Sequence, residues 1–108
     1  MKDEDRRELQ EGFLGEVWHE IYKIDHNSNF KGYGERLETV DHNRTFDTWE
    51  DFGALWEALI EKGILGDFMK WLIRDSDCVA MAFVAWESWE PKERCIIILK
   101  AINEGVIK

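Results

Sequence analysis

The chain has 108 residues, with 14 Lys+Arg against 23 Asp+Glu and a formal charge of −9. That length predicts one domain over 1–108, since domains run to about 100–150 residues, and a hydrophobic fraction of 44% with Trp 6, Phe 6 and Tyr 2 excludes wholesale disorder. The longest apolar run, Cys78 to Trp86, spans nine residues, far short of the ~20 that cross a bilayer, so no membrane partner is expected.

The opening Met-Lys-Asp-Glu-Asp-Arg-Arg-Glu has no apolar stretch behind it, so a secretory signal is not expected. From Asp3 to about Tyr22, apolar residues recur at Leu9, Phe13, Leu14, Val17, Trp18 and Ile21, which predicts one amphipathic helix. Gly12 and Gly15 weaken it, each by about 1 kcal/mol relative to Ala, and predict an irregular middle. Between Lys23 and Asp47 the helical period is lost, and Ile24-Asp25-His26-Asn27 echoes Val40-Asp41-His42-Asn43. Asp and Asn bond their own backbone, so both copies read as turns, flanking extended pieces near Phe30–Tyr33 and Arg36–Val40. This insertion is expected to be irregular or a small two-stranded hairpin.

Asp47-Thr48-Trp49-Glu50 fits a capping box. The stripe Trp49, Phe52, Trp56, Leu59, Ile60 then predicts a helix that Gly63 stops. Asp67 is placed to cap a shorter helix with Phe68, Trp71 and Leu72 inward. Asp75 or Ser76 begins a third segment running to Trp89, in which 79–84 fits either helix or buried strand. Pro91 suits the first turn of a last helix carrying Cys95, Ile96, Ile98, Leu99 and Ile102, ending near Gly105. The fold class is therefore mostly α: four helices with an irregular or two-stranded insertion around 23–47, and α+β as the alternative.

The chemical motifs are sparse. Trp18-His19-Glu20 with His26 lacks the four-residue spacing of a zinc protease, and Asp-His-Asn is explained by turns without a metal. Gly32-Tyr33-Gly34 lacks the third glycine and the Lys-Ser/Thr of a phosphate loop. Cys78 and Cys95 stand among apolar neighbours at no metal-like spacing, which predicts free thiols in a cytoplasmic protein. No catalytic, cofactor or metal residue is assigned, and an enzyme is not expected.

Charge says more. Residues 1–20 carry a net −4 and residues 41–67 a net −5. Such a chain is repelled by phosphates and steered toward basic surfaces. Glu50, Asp51, Glu57 and Glu61 lie off the apolar stripe of their helix and are the expected partner-binding residues.

The run Arg44-Thr45-Phe46-Asp47-Thr48-Trp49-Glu50-Asp51-Phe52-Gly53-Ala54-Leu55-Trp56-Glu57, with Trp18-His19-Glu20 upstream and Asp67-Phe68-Met69-Lys70-Trp71 downstream, resembles small phage and prophage proteins of unassigned function. Relatives often carry a cysteine knuckle where this chain has Phe30-Lys31-Gly32-Tyr33-Gly34, so the resemblance brings no metal with it. It implies a phage origin. With the acidity, it leads to an expected non-enzymatic inhibitor of a host nucleic-acid-handling protein, most concretely an anti-CRISPR or anti-defence protein acting as a DNA mimic. Its partner would be a host protein with a basic nucleic-acid-binding surface. The alternative is a phage structural or assembly accessory that self-associates through Trp-rich faces as a homo-oligomer.

Overall fold

A computed structural model describes residues 1–26, 36–74 and 85–107, with side chains described for all of these except 24–26 and 36–38. Helix α1 (Asp3–Arg7) runs directly into a π-helical segment (Glu8–Phe13). Strands β1 (Tyr22–His26) and β2 (Arg36–Val40) follow, then helices α2 (Trp49–Glu61), α3 (Leu65–Arg74) and α4 (Pro91–Asn103). Residues 85–88 are also helical. Among the described residues the chain is thus mostly helical with one two-stranded antiparallel sheet.

The first helix is shorter than its apolar period predicts. Leu14 N–H donates to Leu9 C=O at 2.9 Å, an i→i−5 bond, and Glu16 N–H reaches Gln10 C=O at 2.9 Å. Gly15 then takes φ 70°, the left-handed conformation that costs glycine nothing and ends a helix. Val17, on the expected apolar face, is exposed. Trp18 instead lies beside Arg6, whose guanidinium carbon is 5.6 Å from the ring centroid. Leu9 and Phe13 carry the helix into the core, and Leu14 packs against it.

The strands pair in register from Tyr22↔Val40 to His26↔Arg36. Arg36–Val40 is extended as expected. The two Asp-His-Asn copies differ, however: Asp25 and His26 are strand residues, while Asp41 and Asn43 form a turn in which Asn43 N–H donates to Asp41 Oδ1 at 3.0 Å. The piece near Phe30–Tyr33, Gly32-Tyr33-Gly34, Cys78 and the 79–84 alternatives lie outside the described residues.

Helix α2 begins one residue later than the expected box. Thr48 is the N-cap, its hydroxyl accepting from Asp51 N–H at 3.2 Å. Asp51, not Glu50, is the acid three residues on. At its other end Gly63 takes φ 70°, Gly63 N–H bonds Ile60 C=O at 3.0 Å and Ile64 N–H bonds Leu59 C=O at 3.1 Å, a Schellman closure. Gly105 closes α4 in the same way, through Ile102 and Ala101. Pro91 occupies the first turn of α4 as expected. Helix α3 starts at Leu65, two residues before Asp67, which lies in the first turn rather than at the cap.

Leu55, Ala58 and Leu59 of α2, Phe68 of α3, and Cys95, Ile98, Leu99 and Ala101 of α4 converge with Leu9, Phe13, Phe46, Trp86 and Ile107 on one core. Trp86 is its aromatic centre. Rings of Phe52, Trp56, Phe68 and Trp89 stand 5.7, 5.9, 5.8 and 6.0 Å from it. The predicted stripes are partly displaced: Trp49, Ile60 and Ile96 are exposed. Gly53, the fifth residue of α2, lacks the side chain that would steady a helix, at a cost of about 1 kcal/mol relative to Ala. A Cβ built there meets nothing within 4 Å.

Candidate functional site

Two regions gather the polar chemistry of the described residues, a knot where the 41–46 loop meets the first helix, and the outer face of α2. The knot grows from the Asx turn at Asp41–Asn43. Asn43 is 8% exposed, and its carboxamide replaces a strand's worth of backbone bonding. Its Oδ1 accepts from His19 N–H at 2.7 Å and Gln10 Nε2 at 3.2 Å, while its Nδ2 donates to His19 C=O at 2.6 Å and Asp41 Oδ1 at 3.0 Å. Gln10 completes the tie by donating to Val17 C=O at 2.8 Å and accepting from Arg44 N–H at 2.8 Å. The 15–21 segment is thereby fastened to the loop through Val17 C=O and the His19 N–H and C=O.

Two arginines hold the knot electrostatically. Arg44 makes a bidentate pair with Glu16, Nε to Oε1 at 2.7 Å and Nη2 to Oε2 at 2.9 Å, and a third bond from Nη1 to Asp51 Oδ1 at 2.9 Å. Arg6 reaches Asp41 Oδ2 at 2.8 Å and donates to Arg44 C=O at 2.9 Å. Asp51 Oδ2 also accepts from Phe46 N–H at 3.0 Å, which fixes buried Phe46 at φ 56°, a left-handed geometry that costs a non-glycine residue about 1–2 kcal/mol.

These contacts set the ionisation of the acids. The Arg44 hydrogen bonds hold the Glu16 carboxyl below its ordinary value, and those of Arg6 do the same for Asp41. For Asp51 burial pushes upward, but Arg44, the Phe46 N–H and Thr48 together outweigh it and the carboxyl ends lowered. Each lowered acid contributes stability that is fully present above the unfolded carboxylate value of about 4. That contribution is lost as pH falls through the folded values. The urea midpoint is therefore expected to be flat from neutral pH to about pH 5 and to drop below about pH 4. Arg44→Met should flatten that acid limb by releasing Glu16 and Asp51. An acid limb unchanged in Arg44→Met would show that the Arg44 pairs are not its source.

Of the four expected partner-binding residues, Glu50, Glu57 and Glu61 are exposed on α2. Asp51 is not: at 8% exposure it is buried, on the same helix face as buried Leu55 and Ala58, where Arg44 pairs with its carboxylate. Among the described residues no cation lies within ion-pair distance of Glu50, Glu57 or Glu61. Arg44, Gln10 and Asn43 escaped the sequence reading because their partners lie 24–34 residues away. Only the Asp-x-Asn turn signal pointed to the place.

An open cleft of ≈560 Å³ adjoins the knot, lined by Glu16, His19, His42, Arg44 and Glu50 among others. His19 and His42 meet edge to face there, with ring centroids 6.3 Å apart. His26 contributes no described side chain. Among the described residues no three His, Cys, Asp or Glu side chains are grouped as a metal ion requires. Cys95 is free and buried in the core, and burial pushes its thiol up to about 12, so it stays protonated near neutral pH. No described helix is long and apolar enough to cross a membrane.

On the other side of α2, Arg94 of α4 enters the aromatic cluster. Its guanidinium carbon is 4.9 Å from the ring centroids of both Trp49 and Trp86 and 5.2 Å from that of Phe52. Trp49 is 55% exposed, yet it is held in place by this stacking and by its edge-to-face contact with Phe52 at 6.0 Å. Compared with known protein families, curated proteins and solved structures, the chain matches none of them.

Proposed function

We propose that this protein is a non-enzymatic, phage-derived inhibitor that occludes the basic surface of a host nucleic-acid-handling protein in the host cytoplasm, with an anti-CRISPR or other anti-defence role as its concrete form. One observation carries the reading: the fold divides its acids into two sets. Glu16, Asp41 and Asp51 are consumed by Arg44 and Arg6, whereas Glu50, Glu57 and Glu61 stand together on the outer face of α2. Glu57 and Glu61 are four residues apart, a like-charged spacing that costs an isolated helix about 0.2–0.5 kcal/mol. Neither of these two makes an ion pair among the described residues, and a basic partner would relieve the repulsion.

Self-association through tryptophan faces is the competing reading, supported by the exposure of Trp49. The same face opposes it, because two copies would bring their glutamates together within a chain of net charge −9.

Capture of tagged protein from host lysate, with elution across a salt gradient, should return a nucleic-acid-binding protein released as salt rises. Against that partner, the triple variant Glu50→Lys, Glu57→Lys, Glu61→Lys is expected to slow association by about tenfold or more and to abolish its acceleration at low salt. An unchanged association rate in the triple variant would defeat electrostatic occlusion. Sedimentation showing a dimer, with no partner captured, would move the reading to self-assembly.

A further inference from the structure

We propose that the outer face of α2 is a docking surface for a basic amphipathic helix of the partner protein, seated over Gly53 between Trp49 and Ile60 with its Lys and Arg side chains against Glu50, Glu57 and Glu61. The inference rests on the inhibitor reading for the sign of the partner's charge. It goes beyond it by specifying the partner's secondary structure and the residues that anchor it.

At about 100° per residue, Trp49, Ile60 and Gly53 fall within roughly 40° of one another around α2, and Glu57, Glu50 and Glu61 occupy the next 40° or so. The exposed face therefore has an apolar edge and, parallel to it, an acidic one. Trp49 and Ile60 are 55% and 54% exposed and lie about 16 Å apart along the axis, three turns, a span that brackets the roughly two turns of i to i+7 anchors on a facing helix.

Three features distinguish this face from an ordinary solvated one. Trp49 is already ordered by Arg94 and Phe52, so it loses little freedom when a partner covers it. Preordered tryptophan is the residue type most often found at energetic hot spots. Gly53 burdens α2 with a poor helix former that no neighbour requires, since a Cβ there meets nothing within 4 Å. With no side chain at Gly53, a facing helix can bring a Leu or Met close to the α2 backbone between Trp49 and Ile60. The acidic edge then selects the occupant. It repels nucleic acid, anionic lipid and a second copy of this chain, and it favours a helix that interleaves Lys or Arg with its apolar stripe.

The probe is a fluorescein-labelled peptide of about five turns, with Leu at i, i+3, i+4 and i+7 and Lys on the flanking positions. Its control is a scrambled peptide of the same composition. By anisotropy the patterned peptide should bind about tenfold more tightly than the scrambled one. Trp49→Ala should weaken it about tenfold. Gly53→Gln should weaken it as much, while the thermal midpoint stays equal to or above that of the parent, which separates blocked docking from lost folding. Equal binding of the two peptides overturns the inference. If Trp49→Ala and Gly53→Gln bind as the parent does while the triple Lys variant loses binding, helix docking fails and acidic occlusion survives. If the triple variant also binds unchanged, both fail. A dimer in sedimentation that Trp49→Ala dissolves would give the face to a second copy and overturn the assignment.

Discussion

Trp86→Ala is expected to cost about 4 kcal/mol, a large share of the ~5–15 kcal/mol that stabilises a domain. Trp86 is 6% exposed, and its ring meets aromatic side chains from three parts of the fold. Phe52 and Trp56 come from α2, Phe68 from α3, and Trp89 from the approach to α4. Truncation opens a cavity bounded by rings that cannot collapse into it without leaving their rotamers. It also withdraws one of the three rings around Arg94. In urea unfolding the midpoint should fall steeply, and Trp86→Phe should recover about half of the loss by refilling part of the volume. Trp49→Ala supplies the contrast, since removing an exposed tryptophan should cost about 1 kcal/mol, mostly the Arg94 contact. Similar losses at positions 49 and 86 would mean that Trp86 is not the hub of the core.

The same contrast shows how far the sequence could be read. Helical spacing correctly placed the ends of α2 and α4, because Gly63 and Gly105 take the left-handed cap that glycine alone adopts freely, and Pro91 opens α4 for an equally local reason. Arg36–Val40 is likewise the strand the reading expected. Spacing failed where a local signal competed with a longer apolar period. Val17, Trp18 and Ile21 continue the steps of three and four, yet the helix ends before them, at the π turn that Leu14 caps and at Gly15. Gly15 was the legible sign, and the period masked it.

At the candidate site the failures have one physical source. Asp51 precedes buried Leu55 by four residues and buried Ala58 by seven, so it lies on the inner face of α2, which the expected stripe through Trp49 and Ile60 misplaced, and Arg44 pairs with its carboxylate there. The capping box moved for a related reason: with Asp51 bound to Phe46 N–H and its own N–H to Thr48, the acid that caps is the one already in the knot. Glu50, Glu57 and Glu61 lie on the outer face of α2 with exposed Trp49 and Ile60, where no cation of the described residues meets them. Which face of an aromatic-rich helix is buried is thus decided by tertiary packing, which a single helix pattern does not contain.

Asn43→Asp tests the knot with a change of one atom's chemistry and almost none in shape. A carboxylate at this position still accepts from His19 N–H and Gln10 Nε2, but it cannot donate to His19 C=O, and it faces the Asp41 carboxylate that the native Nδ2 donates to at 3.0 Å. A lost donor and a like-charge contact at an 8% exposed site should together cost about 3 kcal/mol at neutral pH. Burial and the neighbouring Asp41 raise the new carboxyl above its unfolded value. The sign of the pH dependence is therefore opposite to that of Glu16 and Asp41: protonation restores a donor, so the deficit relative to the parent should shrink as pH falls from 7 toward 4. Asn43→Leu removes the donors and acceptors without introducing a charge, and its deficit should not change with pH over that range. Hydrogen exchange gives the local readout. The His19 amide should lose protection in both variants, while amides of α4 lose only what the global destabilisation accounts for. A deficit in Asn43→Asp that stays constant with pH would show that Asn43 does not hold the 15–21 segment through its amide donor.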